Sequence, residues 1–514
     1  MTRRRFLAGL VPMLSASFAL LALAPAATAA SLPQAVAAAR DGAAAVTSAA
    51  YVKAYTAILN GSLLDLSPVD VAATSDGGSI ALALATSPKG LGVDWLVKLS
   101  AAGTPQWQEE LGCASPQGAP GDYADGVSVQ QTADGGYIVG GGAVDCGSGT
   151  TCPVLSGFQC ALVEKLTPAG KLAWARVYSV GPDGGGIRQI RQTADGGYIA
   201  AGSFLDTNQN TGAFVLKLGS AGNVAWRRDL GPSGSPSQAY FNSVQQTADG
   251  GYVAAGVNGL PDEQVLVAKF RGNGSLAWQH GFATANGSAR AFSVIQTADG
   301  GYAVAGDWGN TTGNNGNGAK GALLLKLDAS GNQQWQKAYS GGVYCFFNGF
   351  SETCTDVGGF AYSLHQTSDG GYLLAGDSNL EMSDGAPIEA WQAKVDAGGT
   401  LVWQHLYYQT YASTGRPLGE FFSASALAPG GGSVAVGPTL NYPAQKDELF
   451  AVKADSSGLA GTSCPDIHPA TPLQAVNPKL TAVAPALPVR ATTTPAVPSP
   501  ISTTPTAITT QTDC

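Results

Sequence analysis

Gln246-Thr247-Ala248-Asp249-Gly250-Gly251-Tyr252, the heptapeptide QTADGGY, recurs letter for letter from Gln131, Gln192 and Gln296, and as QTSDGGY from Gln366. An Asp beside two glycines can hold a cation or a phosphate, but repetition along one chain argues against a catalytic role. Turn chemistry explains the motif better. Asp hydrogen-bonds the backbone ahead of it, and glycine accepts the positive φ that a bulged hairpin turn requires. QTADGGY therefore reads as hairpin punctuation, with Tyr opening the second strand.

Aligned on the Asp, the chain repeats at Asp76, Asp134, Asp195, Asp249, Asp299 and Asp369, with a degenerate seventh copy, APGGGSVAVG, around Gly430. Each unit has a second landmark, in which Lys98, Lys165, Lys217, Lys269, Lys326 and Lys394 precede a Gly by five positions and a Trp by nine. The tryptophans are Trp107, Trp174, Trp226, Trp278, Trp335 and Trp403. This spacing is constant, whereas the distance from DGG to Trp varies, so each unit is two rigid hairpins joined by a variable loop. The unit SVIQT-ADGG-YAVAGD, loop, ALLLKLD-ASGN-QQWQKAY reads as four short strands rich in β-branched and aromatic residues. Such units hide both apolar faces only by stacking on neighbours, and a ring needs no end caps. The expected fold is all-β, a seven-bladed β-propeller of four-stranded antiparallel blades over residues 67–461.

On these motifs, T-x-D-G-G-Y and K-L-x-x-x-G-x-x-x-W, the chain resembles the delta-60 repeat family of exported bacterial β-propeller proteins over about residues 67–460. More distantly it resembles the tryptophan-docking blades of quinoprotein propellers, which implies that each Trp packs between neighbouring blades. Those dehydrogenases carry eight blades and, in many members, adjacent cysteines, whereas this chain has seven repeats and no Cys-Cys, so a quinone is not expected.

The seventh unit ends at ELFAVKADSSGLAG without a Trp, and so lacks a fourth strand. Tyr51-Val52-Lys53-Ala54-Tyr55 lines up with Trp335-Gln336-Lys337-Ala338-Tyr339, so Tyr51–Leu59 is expected to supply that strand and close the ring. Residues 30–66 thus comprise an Ala-rich helix (32–50) and the closing strand. Residues 1–29 read as a signal peptide cleaved near Ala29, and Thr2-Arg3-Arg4-Arg5-Phe6-Leu7 is similar to a twin-arginine export signal. The expected location is periplasmic or extracellular. No later apolar run is long enough to span a bilayer, so no membrane insertion is expected. Residues 462–514, rich in Pro, Thr and Ala, read as a stalk or extended strap.

The eight cysteines suit disulfides in an exported chain. Cys345 with Cys354 is the preferred pair. Cys464 with Cys514 would tie the tail into a loop, and the connectivity among Cys113, Cys146, Cys152 and Cys160 stays open. None of these last four is spaced C-x-x-C, so zinc is not expected. The net charge of -9 and the lack of a basic run argue against nucleic acid. No G-x-S-x-G, H-E-x-x-H or phosphate-binding loop occurs.

The TADGG and ASGN turns lie on one face of the ring, so all loop length falls on the other. There we expect a ligand site from Tyr123, Asp122, Tyr240, Phe241, Phe292, Asp307, Trp308, Tyr344 and Asp377, with Phe360, Phe421 and Phe422 beside them. Flat apolar rings beside carboxylates suit sugars or peptide side chains. No cofactor is expected, and calcium is the one metal that the loop carboxylates suggest. The functional expectation is a monomeric, non-enzymatic propeller that binds a glycan or an extracellular protein. The alternative is a polysaccharide hydrolase using a carboxylate pair on the same face.

Overall fold

The computed structural model describes residues 50–59, 62–86, 92–113, 123–144, 160–231, 238–259, 263–284, 287–310, 320–340, 342–347, 352–357, 359–378, 389–408, 420–441 and 446–460, with short strands between 467 and 512. The signal peptide, the helix expected over 32–50 and most of the long loops lie outside the described residues. Among the described residues there is no helix, and hence none long and apolar enough to cross a membrane.

Seven antiparallel sheets form the propeller. Blade 4 represents the rest, with strands Ala239–Gln246, Tyr252–Asn258, Gln264–Phe270 and Leu276–Ala283 pairing in sequence order. Blades 1, 2 and 3 begin at Asp65, Tyr123 and Gly185, and blades 5, 6 and 7 at Gly287, Gly359 and Ala424. Seven apolar cores fill the seven interfaces between adjacent sheets. That between blades 3 and 4, for instance, holds Ile199, Val215, Phe241, Val244, Tyr252, Leu266 and Phe270. The middle strands are buried on both faces because each blade is covered on both sides. Outer strands such as Val224–Leu230 alternate instead.

The heptapeptide has a structural use for every letter. In blade 4 the Thr247 hydroxyl donates to Asp249 Oδ1 (2.5 Å), as does the Gly251 N–H (3.0 Å). Gly250 takes the positive φ, and the space beside Gly251 is filled by Lys269 Nζ and the Phe270 carbonyl, where a Cβ would collide. Lys269, buried, meets Asp249 at 2.9 Å. Burial works to raise the carboxyl, but the Thr247 hydroxyl, the Lys269 ammonium and the Gly251 N–H outweigh it and hold Asp249 down to about 2.

The three remaining letters join blades. The Ala248 N–H donates to Gln296 Oε1 of blade 5 (2.7 Å), and the same Gln-to-turn bond recurs at Ser75, Ala133, Ala194 and Ala298. Tyr252 receives Trp226 of blade 3 edge-on, at 5.6 Å between ring centroids. The Trp226 ring also lies 2.7 Å from where a Cβ on Gly274 would stand, so only glycine leaves room for it. Trp107, Trp174, Trp278 and Trp335 dock on the next blade's Tyr in the same way.

Tyr51–Leu59 pairs antiparallel with Lys446–Ala454, with Tyr51 opposite Lys453 and Tyr55 opposite Leu449. Tyr51 sits against Gly103 of blade 1 as Trp226 sits against Gly274. The Tyr55 hydroxyl donates to the Gly103 carbonyl at 2.6 Å, matching Tyr339 to Gly399 at 2.8 Å. Tyr51, Tyr55, Ala57, Leu66, Val97 and Leu449 share one core.

The Pro/Thr/Ala-rich tail runs around the rim. Ile467–Pro469 pairs with the outer strand of blade 6, Gln474–Val476 with blade 5, Thr481–Val483 with blade 4 and Val489–Thr492 with blade 3. Ala496–Pro498 follows on blade 2, Ile501–Thr504 on blade 1 and Ala507–Thr512 on Tyr51–Leu59. An open outer edge invites pairing with another chain, and this strap covers part of every one.

Candidate functional site

The first strand of blades 1 to 6 carries a register shift at one equivalent place, flanking Val69, Val127, Arg188, Asn242, Phe292 and Tyr362. A bulge re-aims the extra side chain. In blades 3 to 6 these side chains meet. An Arg188 guanidinium N–H donates to Asn242 Oδ1 (3.3 Å), Asn242 Nδ2 donates to the Ala291 carbonyl (2.7 Å), and Phe292 lies 5.1 Å from the Tyr362 ring.

Tyr240, Arg290 and Phe360, two residues upstream of the bulge, join them. The Arg188 guanidinium lies over Tyr240 at 4.6 Å. Arg290 grips Asp307 with two parallel bonds of 2.9 and 2.8 Å, approaches Glu263 at 3.6 Å, and lies over the rings of Phe292 (5.6 Å) and Phe360 (5.8 Å). The hydrogen bond to Asp307 pushes Arg290 above its usual range. Phe360 stacks on Tyr362 with planes 3° apart. The Tyr362 hydroxyl and the Phe360 N–H donate to the two oxygens of Asp377, at 3.2 and 3.0 Å. Burial nevertheless lifts Asp377 to about 6, with the Asp307 charge adding to the rise.

Further along the same first strands, polar side chains stitch neighbouring blades together. Asp70 accepts from Val129 N–H (2.8 Å), Gln189 from Val244 N–H (2.7 Å) and Gln245 from Gln296 N–H (2.6 Å). His365 Nε2 meets the Ser425 carbonyl at 2.8 Å, and burial lowers its pKa to about 4, so it is neutral at physiological pH.

Of the residues expected from sequence, Tyr240, Phe292, Asp307 and Asp377 come together here. Phe241 does not, because the strand turns it into the core between blades 3 and 4. Trp308 lies in the core between blades 4 and 5, and Phe422 stacks on Phe450 between blades 6 and 7. Tyr123 opens the first strand of blade 2, and Tyr344 lies on the hairpin Gly342–Phe347/Glu352–Val357, opposite Thr355. Asp122 lies outside the described residues. Cys345 and Cys354 are register partners in the ladder of that hairpin, and Cys160 is disulfide-bonded. No group of three or more potential metal ligands occurs among the described residues.

Sequence reasoning missed Arg188, Asn242, Glu263, Arg290 and Tyr362. The available signal was variation within repetition. The position five before the Thr of each TxDGG reads Val69, Val127, Arg188, Asn242, Phe292 and Tyr362, while the residues around it repeat.

No family model matches the sequence, and no curated protein matches it. Among solved structures, a Bacteroides caccae protein of unknown function is 15% identical, with 60% of this chain and 89% of that one covered and a TM-score of 0.35. An ulvan lyase, a polysaccharide lyase, is 11% identical over 78% of this chain and 96% of its own, with a TM-score of 0.42. A point mutant of the NanB sialidase from Streptococcus pneumoniae is 11% identical over 76% and 68%, with a TM-score of 0.37.

Proposed function

We propose that this is an exported propeller of the delta-60 repeat kind that binds a glycan across the channel mouth of blades 3 to 6. The observation that carries this is the half-buried layer of Tyr240, Phe292, Phe360 and Tyr362 around Arg188 and Arg290. Ring faces pack on the apolar face of a sugar, and the guanidinium, amide and carboxyl groups fix its hydroxyls. Arg290 is held rigid by Asp307, so little side-chain freedom is left to lose on binding.

A second reading, polysaccharide hydrolysis, is favoured by one observation. Asp377, lifted to about 6, stays partly protonated near neutrality, as a general acid must, and Asp307 lies close enough to contribute to that shift.

The test is a glycan array probed with the mature protein, with reducing-sugar release assayed on every hit. Binding that Phe360→Ala weakens at least tenfold, without release, supports the binding reading. Release that Asp377→Asn abolishes establishes the hydrolase. Binding that Phe360→Ala and Arg290→Met both leave intact refutes this site.

A further inference from the structure

We propose that Arg188 receives a carboxylate, so that the glycan laid across blades 3 to 6 is an acidic one. This rests on the glycan-binding reading above and adds the chemical class of the sugar. What carries it is the difference between the two guanidinium groups of the mouth.

Arg290 is matched by acids. Asp307 accepts two parallel bonds from it, and Glu263 stands at 3.6 Å. Arg188 has no such match. Among the described residues it forms no ion pair, and its partners are the Tyr240 ring at 4.6 Å and Asn242 Oδ1 at 3.3 Å. The protein crowded around Arg188 pulls its pKa below the usual guanidinium range, and only Tyr240 opposes the fall. Asp307, Glu263 and Tyr240 all act to raise Arg290.

The scaffold does not need a cation at this place. Ile187 and Ile190, on either side of Arg188, lie in the core between blades 2 and 3. The register shift between Ile187 and Gln189 turns Arg188 out of the ladder. Blades 1 and 2 carry Val69 and Val127 at the equivalent position, and their bulges form as well. A guanidinium stays charged and offers five N–H donors in a planar fork. Arg188 gives one of them to Asn242 in a long bond and lays a face on Tyr240, yet it remains exposed, so a ligand entering the mouth can reach the rest.

A carboxylate suits that fork, because it is planar and accepts two parallel N–H bonds. The acids of the mouth are engaged elsewhere. Asp307 and Glu263 face Arg290, and Asp377 accepts from the Phe360 N–H and the Tyr362 hydroxyl on blade 6. An anion at Arg188 therefore meets an unmatched positive charge, while Asp377 repels a second anion and favours hydroxyls at the blade 6 end. The sugar between them lies beside Tyr240 and Phe292.

The test places the mature chain on an array of glucuronic, galacturonic and mannuronic acid oligosaccharides and sialylated glycans. Each stands beside its methyl ester, and sulfated neutral glycans form a separate arm. The acids should bind at least about tenfold more tightly than their esters, the effect of hydrogen bonds to a charged group. Arg188→Gln should erase that preference, and Arg188→Lys, which keeps the charge but loses the fork, should restore part of it. Acids and esters bound equally by the wild type, or a preference that survives Arg188→Gln, overturns the inference and leaves the glycan site standing. A preference for the sulfated arm over the carboxylated one overturns it too. Binding to no glycan, acid or neutral, refutes the site itself and this inference with it.

Discussion

Replacing Asp249 with Asn tests whether the repeated turn is held by charge as well as by shape. Asn keeps the Oδ1 that accepts from Thr247, Gly251 and Lys269 (3.0 Å), but it removes the negative charge and turns Oδ2, which Lys269 meets at 2.9 Å, into a donor facing a buried ammonium whose side chain is 5% exposed. Breaking a fully buried pair costs about 3–5 kcal/mol. Here the carboxylate is 64% exposed and solvent screens the attraction, so about 1–2 kcal/mol is expected. Lys269→Met removes the buried cation and leaves an ion that water can solvate, so it should cost less than about 1 kcal/mol. Adding Asp249→Asn to Lys269→Met should then cost almost nothing, a coupling of about 1 kcal/mol in a double-mutant cycle of urea unfolding at pH 7. The sign with pH is also set. Asp249 is depressed to about 2 in the fold, so its contribution is present above the unfolded value of about 3.9 and is lost as pH falls through the folded one. Asp76, Asp195 and Asp299 are held at about 2 in the same way, so the wild type should weaken between about pH 4 and pH 2. Additive single-mutant costs at pH 7, or a neutral Asp249→Asn, would refute the electrostatic clasp.

Gly274→Ala places a side chain at φ +79° against Trp226, and should cost about 2–4 kcal/mol from left-handed strain plus overpacking. Unfolding followed by tryptophan fluorescence measures it, and a cost below about 1 kcal/mol would contradict the docking. A chain lacking Tyr51–Leu59 should associate through the bare edge of Lys446–Ala454, as read by light scattering, and a monodisperse monomer would disprove ring closure by this strand. Asp377 has a folded pKa raised to about 6, so its stabilising contribution is full below the unfolded value of about 3.9 and is lost as pH rises through 6, at most about 3 kcal/mol. Asp377→Asn should flatten the unfolding midpoint between about pH 4 and pH 6, and an unchanged profile would remove Asp377 from the account.

The propeller was legible because its determinants are local. TxDGG and K-L-x-x-x-G-x-x-x-W each specify a hairpin from adjacent residues, and the Tyr51-to-Tyr55 alignment with Trp335-to-Tyr339 matches the pairing seen at Lys453 and Leu449. The site was half legible. Asp307 and Asp377 follow their Gly at the end of a second strand, where the period-2 pattern holds. The first strands contain a bulge, and one extra residue reverses the side on which every later side chain falls. That phase change is why Phe241 was mistaken for a surface ring and Arg188 was passed over. The tail read as strap or stalk because Pro, Thr and Ala composition does not say which edge a strand will join.

Repetition and variation therefore carry different information in this chain. Residues that recur from blade to blade, such as Asp249, Lys269, Trp226 and Tyr252, are spent on turns and on seating one blade against the next. Residues that differ at equivalent positions are free of that duty, and their differences are not spread evenly. At the bulge, blades 1 and 2 present Val69 and Val127, whereas blades 3 to 6 present Arg188, Asn242, Phe292 and Tyr362. A ligand threading the axis would meet the valines as well as the polar groups and gain little from them. One laid across blades 3 to 6 meets two guanidinium groups, four aromatic rings and Asp377 at once. The scaffold is close to seven-fold, but its recognition chemistry is one-sided, and that favours a ligand lying off the axis.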